Sequence, residues 1–230
     1  MTLYPFEMRP IYQRIYEHAR PFLRTRNNLV HTKISLRYAF RLLIEEKGDE
    51  AVVIPAILLH DVGWKVIPEN LQITAFGPNL SNPELTRIHE VEGAKIGGEV
   101  LKTLRYPPGK VKEICRIIGG HDTRQRPVSR NDRIVKDSDK LWRYSRKGLA
   151  VDLDRFHIAR RSRLDFLEEH IEKWLFLPAA RQLAREELAQ RKKEIKPRRE
   201  RRSAFSAPCS GLNKAKAVSS SLGGKSRIKR

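Results

Sequence analysis

Cysteine is scarce in this 230-residue chain: Cys115 and Cys209 are the only two. They stand 94 positions apart, outside any CxxC or Cys/His spacing. That excludes a disulfide framework and a thiolate zinc module, and leaves two ordinary thiols. Long apolar runs are missing too. The longest uncharged one, 51–59, has nine residues and contains Pro55, far short of the ~20 that span a bilayer. The first ten residues lack a basic stretch followed by a continuous apolar segment, so no secretion signal is read there. A cytoplasmic protein that inserts in no membrane is expected. Sustained apolar/polar alternation is absent, as are internal repeats. The expected fold class is therefore all-α, a helical bundle.

Enough apolar material is present for a core, at 40% of residues with 32% charged. The formal charge of +20 is unevenly placed: residues 191–230 hold 14 Lys/Arg against Glu194 and Glu200, a net +12, and the preceding 190 residues hold the other +8. From about Lys196 the chain is basic, then rich in Ser, Ala and Gly. Such a segment buries too little apolar surface to offset its chain entropy. The expected organisation is a helical body over 1–190 and a basic, disordered tail over 191–230. A solvated extension is the plain reading of that tail, and a weak, salt-sensitive contact with nucleic acid its functional one.

Within the body, helical spacing of apolar residues predicts a helix over 28–47 with His31 in its first turns, and a buried helix over 50–61 that ends in His60-Asp61. Residues 66–83, with Pro68, Gly77, Pro78 and Pro83, predict a long loop lying over something. A helix that starts at Asn82-Pro83-Glu84 carries His89 and Glu90. Another, over 108–118, ends at Gly119-Gly120 and puts His121 and Asp122 at its exit. Asp132 is expected to cap a helix holding Lys136, Asp137, Asp139 and Lys140, and the pattern over 151–177 reads as helical throughout.

Singly, a histidine on an apolar helix face is a hydrogen-bonded core residue more often than a ligand. His18, His157 and His170 lie in strongly charged helical text and are assigned to surface or packing. His60-Asp61 differs because it ends the most apolar segment of the chain. An unpaired polar group there would cost on the order of 2–7 kcal/mol, and a charge more. A divalent metal held by imidazoles and carboxylates would satisfy both. Two adjacent helical side chains project ~100° apart, so they reach one ion only from a helix end or through a bridging carboxylate.

His31, then His60-Asp61, then Asp139 in Ser138-Asp139-Lys140-Leu141 resembles the H…HD…D signature of the HD-domain superfamily of metal-dependent phosphohydrolases, over a motif core of 28–147. His89, in His-Glu-x-x-Gly-Ala, and His121, in Gly-His-Asp, are similar to the extra histidines of its binuclear members. The resemblance implies a first metal on His31, His60, Asp61 and Asp139, and a second on His89 and His121 bridged by Asp61. Asp122 stands where a second adjacent histidine occurs in the HD-GYP members, which leaves a third ligand to the second metal open. Those members carry a lysine four residues after the HD histidine. Here Trp64 holds that place, Lys65 follows, and the GYP segment is missing, so cyclic-di-GMP hydrolysis is not inferred.

The implied cofactors are two divalent transition metals per chain, Fe or Mn foremost, with Zn or Co as alternatives. The implied reaction is hydrolysis of a nucleotide or small phosphoester by metal-activated water. Asp61, Lys65 and Arg87 are the expected catalytic residues; Arg124, Lys136, Lys140 and Arg143 are further candidates for orienting a phosphate. Glu90 could support His89 from behind. Two other readings stand beside this one: a mixed-valent di-iron oxygenase built on nearly the same ligands, and an idle HD fold that senses a nucleotide or binds nucleic acid. Oligomeric state is open.

Overall fold

A computed structural model describes residues 8–78 and 80–195. In chain order its helices are α1 (Pro10–Ala19), α2 (Asn28–Glu46), α3 (Glu50–Leu59), the short α4 (Glu69–Gln72), α5 (Glu84–Thr103), α6 (Pro108–Ile118), α7 (Arg130–Leu141), α8 (Arg146–Phe156), α9 (Arg160–Trp174) and α10 (Pro178–Lys193). Single 3₁₀ turns occupy Val62–Val66, Ile73–Ala75 and Trp142–Tyr144. The fold is all-α, with no strand among the described residues.

Helix α3 is the axis of the bundle. It is apolar on every side, with Val52, Val53, Ile54, Ala56, Ile57, Leu58 and Leu59 all buried, as a helix surrounded by others must be. Helices α1, α2, α6 and α7 pack around it. Asp49 caps its start, its side chain accepting from Ala51 N at 2.9 Å. Pro55 lies inside this helix and removes the N–H that would have reached the carbonyl of Ala51. The hydroxyl of Tyr106 donates to that carbonyl instead, at 2.7 Å, so the orphaned acceptor is satisfied from the neighbouring chain segment.

Four expectations are corrected. Residues 66–83 are not a bare loop: α4 and a 3₁₀ turn form there, and Gln72 Nε2 ties them back by donating to Trp64 O and Ile67 O at 3.0 and 2.7 Å. The pattern over 151–177 is two helices, broken at His157, which takes a left-handed conformation at φ 51°. Ser129, not Asp132, is the N-cap of α7. Its hydroxyl accepts from Asp132 N at 3.2 Å, while the Asp132 carboxylate accepts from Val128 N, one residue before the cap, at 2.8 Å. Helix α10 runs on to Lys193, past the expected body–tail boundary at 190, because Arg191 is buried against Glu187 (3.1 Å) and Glu194 (3.2 Å). The rest of the basic tail, 196–230, with Cys209, lies outside the described residues. Cys115 is a free, half-buried thiol. No single helix among the described residues is long and apolar enough to cross a membrane.

Candidate metal centre

The ends and inner faces of five elements converge beside α3. His60 is the C-cap of α3, and Asp61 has already left helical geometry at φ −100°, ψ 5°; this helix end lets two adjacent side chains reach one centre. His31 comes from the first turns of α2, His89 from α5, His121 and Asp122 from the turn after α6, and Asp139 from α7. His31, His60, Asp61, His89, His121 and Asp139 are all buried.

The donors sort into two groups. On one side His31 Nε2 lies 2.8 Å from His60 Nε2, 3.1 Å from Asp139 Oδ1 and 3.3 Å from Asp61 Oδ2. On the other, His89 Nε2 lies 3.4 Å from His121 Nε2, and both are 3.6 Å from Asp122 Oδ2. Asp61 belongs to both: Oδ2 faces His31 and His60, while Oδ1 is 3.9 Å from His89 and 3.8 Å from His121. Trp64, from the 3₁₀ turn, fixes this carboxylate by donating from Nε1 to Oδ1 at 3.1 Å and stacks on the His89 ring at 4.0 Å. Asp122, which the sequence left open, thus completes the second group as Asp139 completes the first. Lys140 spans the two, 2.6 Å from Asp122 and 3.0 Å from Asp139.

The chemistry of these donors fits a divalent cation. Nδ1 of His60 and of His121 each face a backbone carbonyl at 2.8 Å, Ile57 O and Ile118 O. Those nitrogens carry the proton, and Nε2 presents a lone pair inward. Lone pairs and carboxylates converging at these distances repel unless a cation or protons lie among them. Burial opposes charge on His60, yet Asp61 and Asp139 raise its pKa. At His121, Asp122 and Asp61 overcome burial and carry it up to about 9. Burial, with His121 beside it, lowers His89 to about 4, and burial lowers His31 against the pull of Asp139 and Asp61. Burial alone would raise Asp61, but His60, His121 and His31 hold it well below the usual carboxylate range; Lys140, His31 and His60 do the same for Asp139. The same fields that would draw protons onto His60 and His121 would hold a metal ion, and His31–His60–Asp61 and Asp61–His89–His121 each bring three ligand atoms within 4.8 Å of one another. Imidazoles and carboxylates suit Mn, Fe, Co or Zn.

A family model for the HD domain matches residues 28–144, just over half of the chain, and spans every one of these donors. The chain belongs to the HD domain family. Membership puts it in a superfamily of metal-dependent hydrolases. No curated protein and no solved structure matches it.

Residues around the donors keep this HD centre in place. Glu90 is fully buried, and its carboxylate accepts from Asp122 N (2.7 Å), Thr123 N (2.8 Å) and the Thr123 hydroxyl, which fixes the turn carrying His121. Lys136, also buried, clamps the same turn from the other side by donating to Gly120 O and His121 O at 2.7 Å and to Arg124 O at 2.9 Å. Asp137 points away from the centre and accepts from Phe176 N and Leu177 N at the corner between α9 and α10. His18, His157 and His170 stay outside the cluster. His18 and His157 are exposed, and His170 stacks on Phe166 at 3.9 Å.

A cavity of about 240 Å³ opens in front of the cluster, lined among others by His31, Asp61, Asp122, Asp139, Trp64, Phe76 and Trp142. Of the basic residues expected near a phosphate, Lys140 and Arg143 line it. Lys65 and Arg87 do not: Lys65 is exposed on the outer side of its turn, and Arg87 is drawn to Glu90 (3.0 Å) and the Gly119 carbonyl. Arg124 is spent on Asp132 at 2.9 Å and Lys136 on the turn. Arg26 and Arg155, which sequence reasoning missed, take their place in the wall. Arg26 sits at φ 52° just ahead of Asn27 at φ 72°, a left-handed pair that directs the chain into α2. Its guanidinium lies 4.0 Å from the Trp64 ring and 4.1 Å from Phe76, and its carbonyl accepts from Arg155 Nη2 at 3.1 Å. Nothing in the text around either arginine marks them, since one lies in an interhelix link and the other in the last turn of α8.

Proposed function

We propose that this HD protein is a metal-dependent phosphohydrolase that cleaves a phosphorylated small molecule, with two divalent ions shared between the two donor groups. The observation that carries the reading is Asp61, whose two carboxylate oxygens face different His/Asp groups while Trp64 Nε1 holds the carboxylate in that orientation. When bound, such ions supply an acidified water and offset charge on the phosphoryl oxygens. The chain's own residues supply the rest. His31, His60 and Asp139 would hold one ion, and His89, His121 and Asp122 the other. Lys140 keeps Asp122 and Asp139 ionised, Lys140 and Arg143 meet the phosphate's charge, and Trp64, Phe76 and Trp142 limit access of bulk water. The water oxygen bonds to phosphorus as the ester P–O bond breaks, and one water proton ends on the departing alcohol. No other co-reactant is needed.

Elemental analysis of anaerobically purified wild type, Asp61→Ala and His89→Ala, each assayed for phosphate release from a panel of phosphoesters, tests this. Two ions in wild type, at most one in His89→Ala, near none in Asp61→Ala and activity that follows metal content are expected. Metal content indifferent to either substitution would overturn the site, and oxygen consumption without phosphate release would overturn the reaction.

A further inference from the structure

The cavity before the cluster adjoins a second one of about 540 Å³, and Lys140 and Arg143 line both. Their chemistry differs. The first is floored by carboxylates and imidazoles. The second is walled by Phe156, Ile158, Phe166 and Trp174, with Pro78 at its edge. Phe166 and Trp174 meet edge to face at 5.5 Å, and Phe156 meets Phe76 of the first cavity the same way at 5.9 Å, so the aromatic walls of the two cavities touch. Arg163, in this wall, is already engaged by the buried carboxylate of Asp152. Among the described lining residues Ser162 Oγ is the lone side-chain acceptor, and there is neither carboxylate nor amide to read the edge of a nucleobase.

In the first cavity one cation lacks a polar partner. Nε and Nη1 of Arg26 are buried with no hydrogen-bond partner among the described residues, although the side chain lines the cavity. A buried guanidinium left in that state is costly unless an acceptor arrives, and a phosphate oxygen is the acceptor its fork matches. Arg143, by contrast, is matched by Asp152 at 3.2 Å, and Lys140 by Asp122 and Asp139.

Resting on the hydrolase reading above, we infer that the substrate is an amphiphilic phosphoester: its phosphate faces the His/Asp cluster and Arg26, and its apolar organic part sits in the Phe156–Phe166–Trp174 cavity. The ester oxygen then passes Lys140 and Arg143, which line both cavities. A nucleoside in place of the apolar group would bring donor edges into a wall whose lone side-chain acceptor, among the described lining residues, is Ser162 Oγ.

Calorimetric titration of the protein, with the metal it carries on purification, against methylphosphonate, phenylphosphonate and a nucleoside 5′-phosphonate tests the assignment. All three present the same anion, so their ratios isolate the organic part. Burial of a ring predicts that phenylphosphonate binds about tenfold or more tighter than methylphosphonate, and tighter than the nucleoside phosphonate. Phe166→Ser, or Ile158→Asn if the first variant does not fold, should bring the phenyl-to-methyl ratio towards one. Arg26→Gln should weaken both alike. Equal binding of the phenyl and methyl compounds, tighter binding of the nucleoside compound, or a preference that survives both wall variants would overturn the inference. Failure of the hydrolase reading looks different: an intact phenyl preference with no phosphate released from phenyl phosphate would sink hydrolysis while upholding an amphiphilic anion as the ligand.

Discussion

Replacing Gly63 by alanine adds one methyl group where the turn after His60-Asp61 crosses α5. A Cβ built at this position lies 2.0 Å from His89 O, 2.5 Å from Gly93 N and 2.9 Å from Gly93 Cα, where ordinary contact begins at 3.4 Å. All three obstacles are backbone, so no change of rotamer relieves them; the turn and α5 have to separate by more than an ångström. The two elements carry opposite sides of the centre, Asp61 and His89, whose facing atoms are 3.9 Å apart. Overpacking of this kind costs about 1–3 kcal/mol, and a backbone obstacle belongs at the upper end or beyond. For a body of this size that is a fall in Tm on the order of 5–12 °C. Gly109→Ala is the control. Nothing lies within 4 Å of its added Cβ, and it stands in the first turn of α6, so it should hold or raise Tm slightly. Melting followed by circular dichroism, with metal content of the same samples, is the assay. Gly63→Ala should melt early and lose metal from the His89–His121–Asp122 side before the other. Melting within about 1 °C of wild type with unchanged metal would refute the claim that this crossing sets the spacing of the two groups.

Two further substitutions probe the supports. Lys136→Met removes a buried ammonium that holds three carbonyls of the His121 turn, and should cost about 2–4 kcal/mol in urea unfolding, because the orphaned acceptors outweigh the desolvation that is relieved; a neutral effect would show that the turn needs no clamp. Tyr106→Phe removes the donor to Ala51 O and should cost about 1 kcal/mol in wild type but little in a Pro55→Ala background, where the helix can supply its own N–H; equal losses in the two backgrounds would disprove the compensation.

Much of the centre was legible in the sequence because its chemistry sits at element ends, and ends are what sequence marks best. Helix α6 has the bounds expected of it, 108–118, since Pro108 opens it and Gly119-Gly120 closes it. His60-Asp61 announced itself by ending an apolar run, and the family pattern ordered the remaining donors. Asp122 was visible beside His121, but only the turn held by Glu90 and Lys136 shows that it faces inward. Helix α4 escaped because four residues are too few for a period to register. The break at His157 escaped because apolar spacing runs straight across it. Charge was the least readable property. Lys65, Arg87, Arg124 and Lys136 stand near the donors in sequence, yet one faces water and three bind carbonyls or carboxylates. Arg26 reaches the cavity only because two left-handed residues turn the chain there, a conformation that Asn27 favours but that arginine does not announce.

Charge also explains why Lys140 lies between the two groups. The cluster itself holds three carboxylates, Asp61, Asp122 and Asp139, against one ammonium, since the imidazoles are neutral when they act as ligands. Counted that way and without ions, the cluster carries an excess of negative charge that opposes a phosphate dianion at close range, an excess reduced by a proton on His121 and by Arg26, Arg143 and Arg155 in the cavity wall. Under the two-ion reading the sign reverses, and the excess of positive charge matches the dianion. Lys140 sets that balance without occupying a ligand position: it holds Asp122 and Asp139 ionised and keeps their outer oxygens engaged, 2.6 and 3.0 Å away, so that Asp122 Oδ2 and Asp139 Oδ1 turn inward to the histidines. A neutral residue at 140 would leave both carboxylates free to rotate outward and would lower the positive charge that receives the phosphate. Under that reading Lys140 bears on metal and phosphate alike through the same two hydrogen bonds.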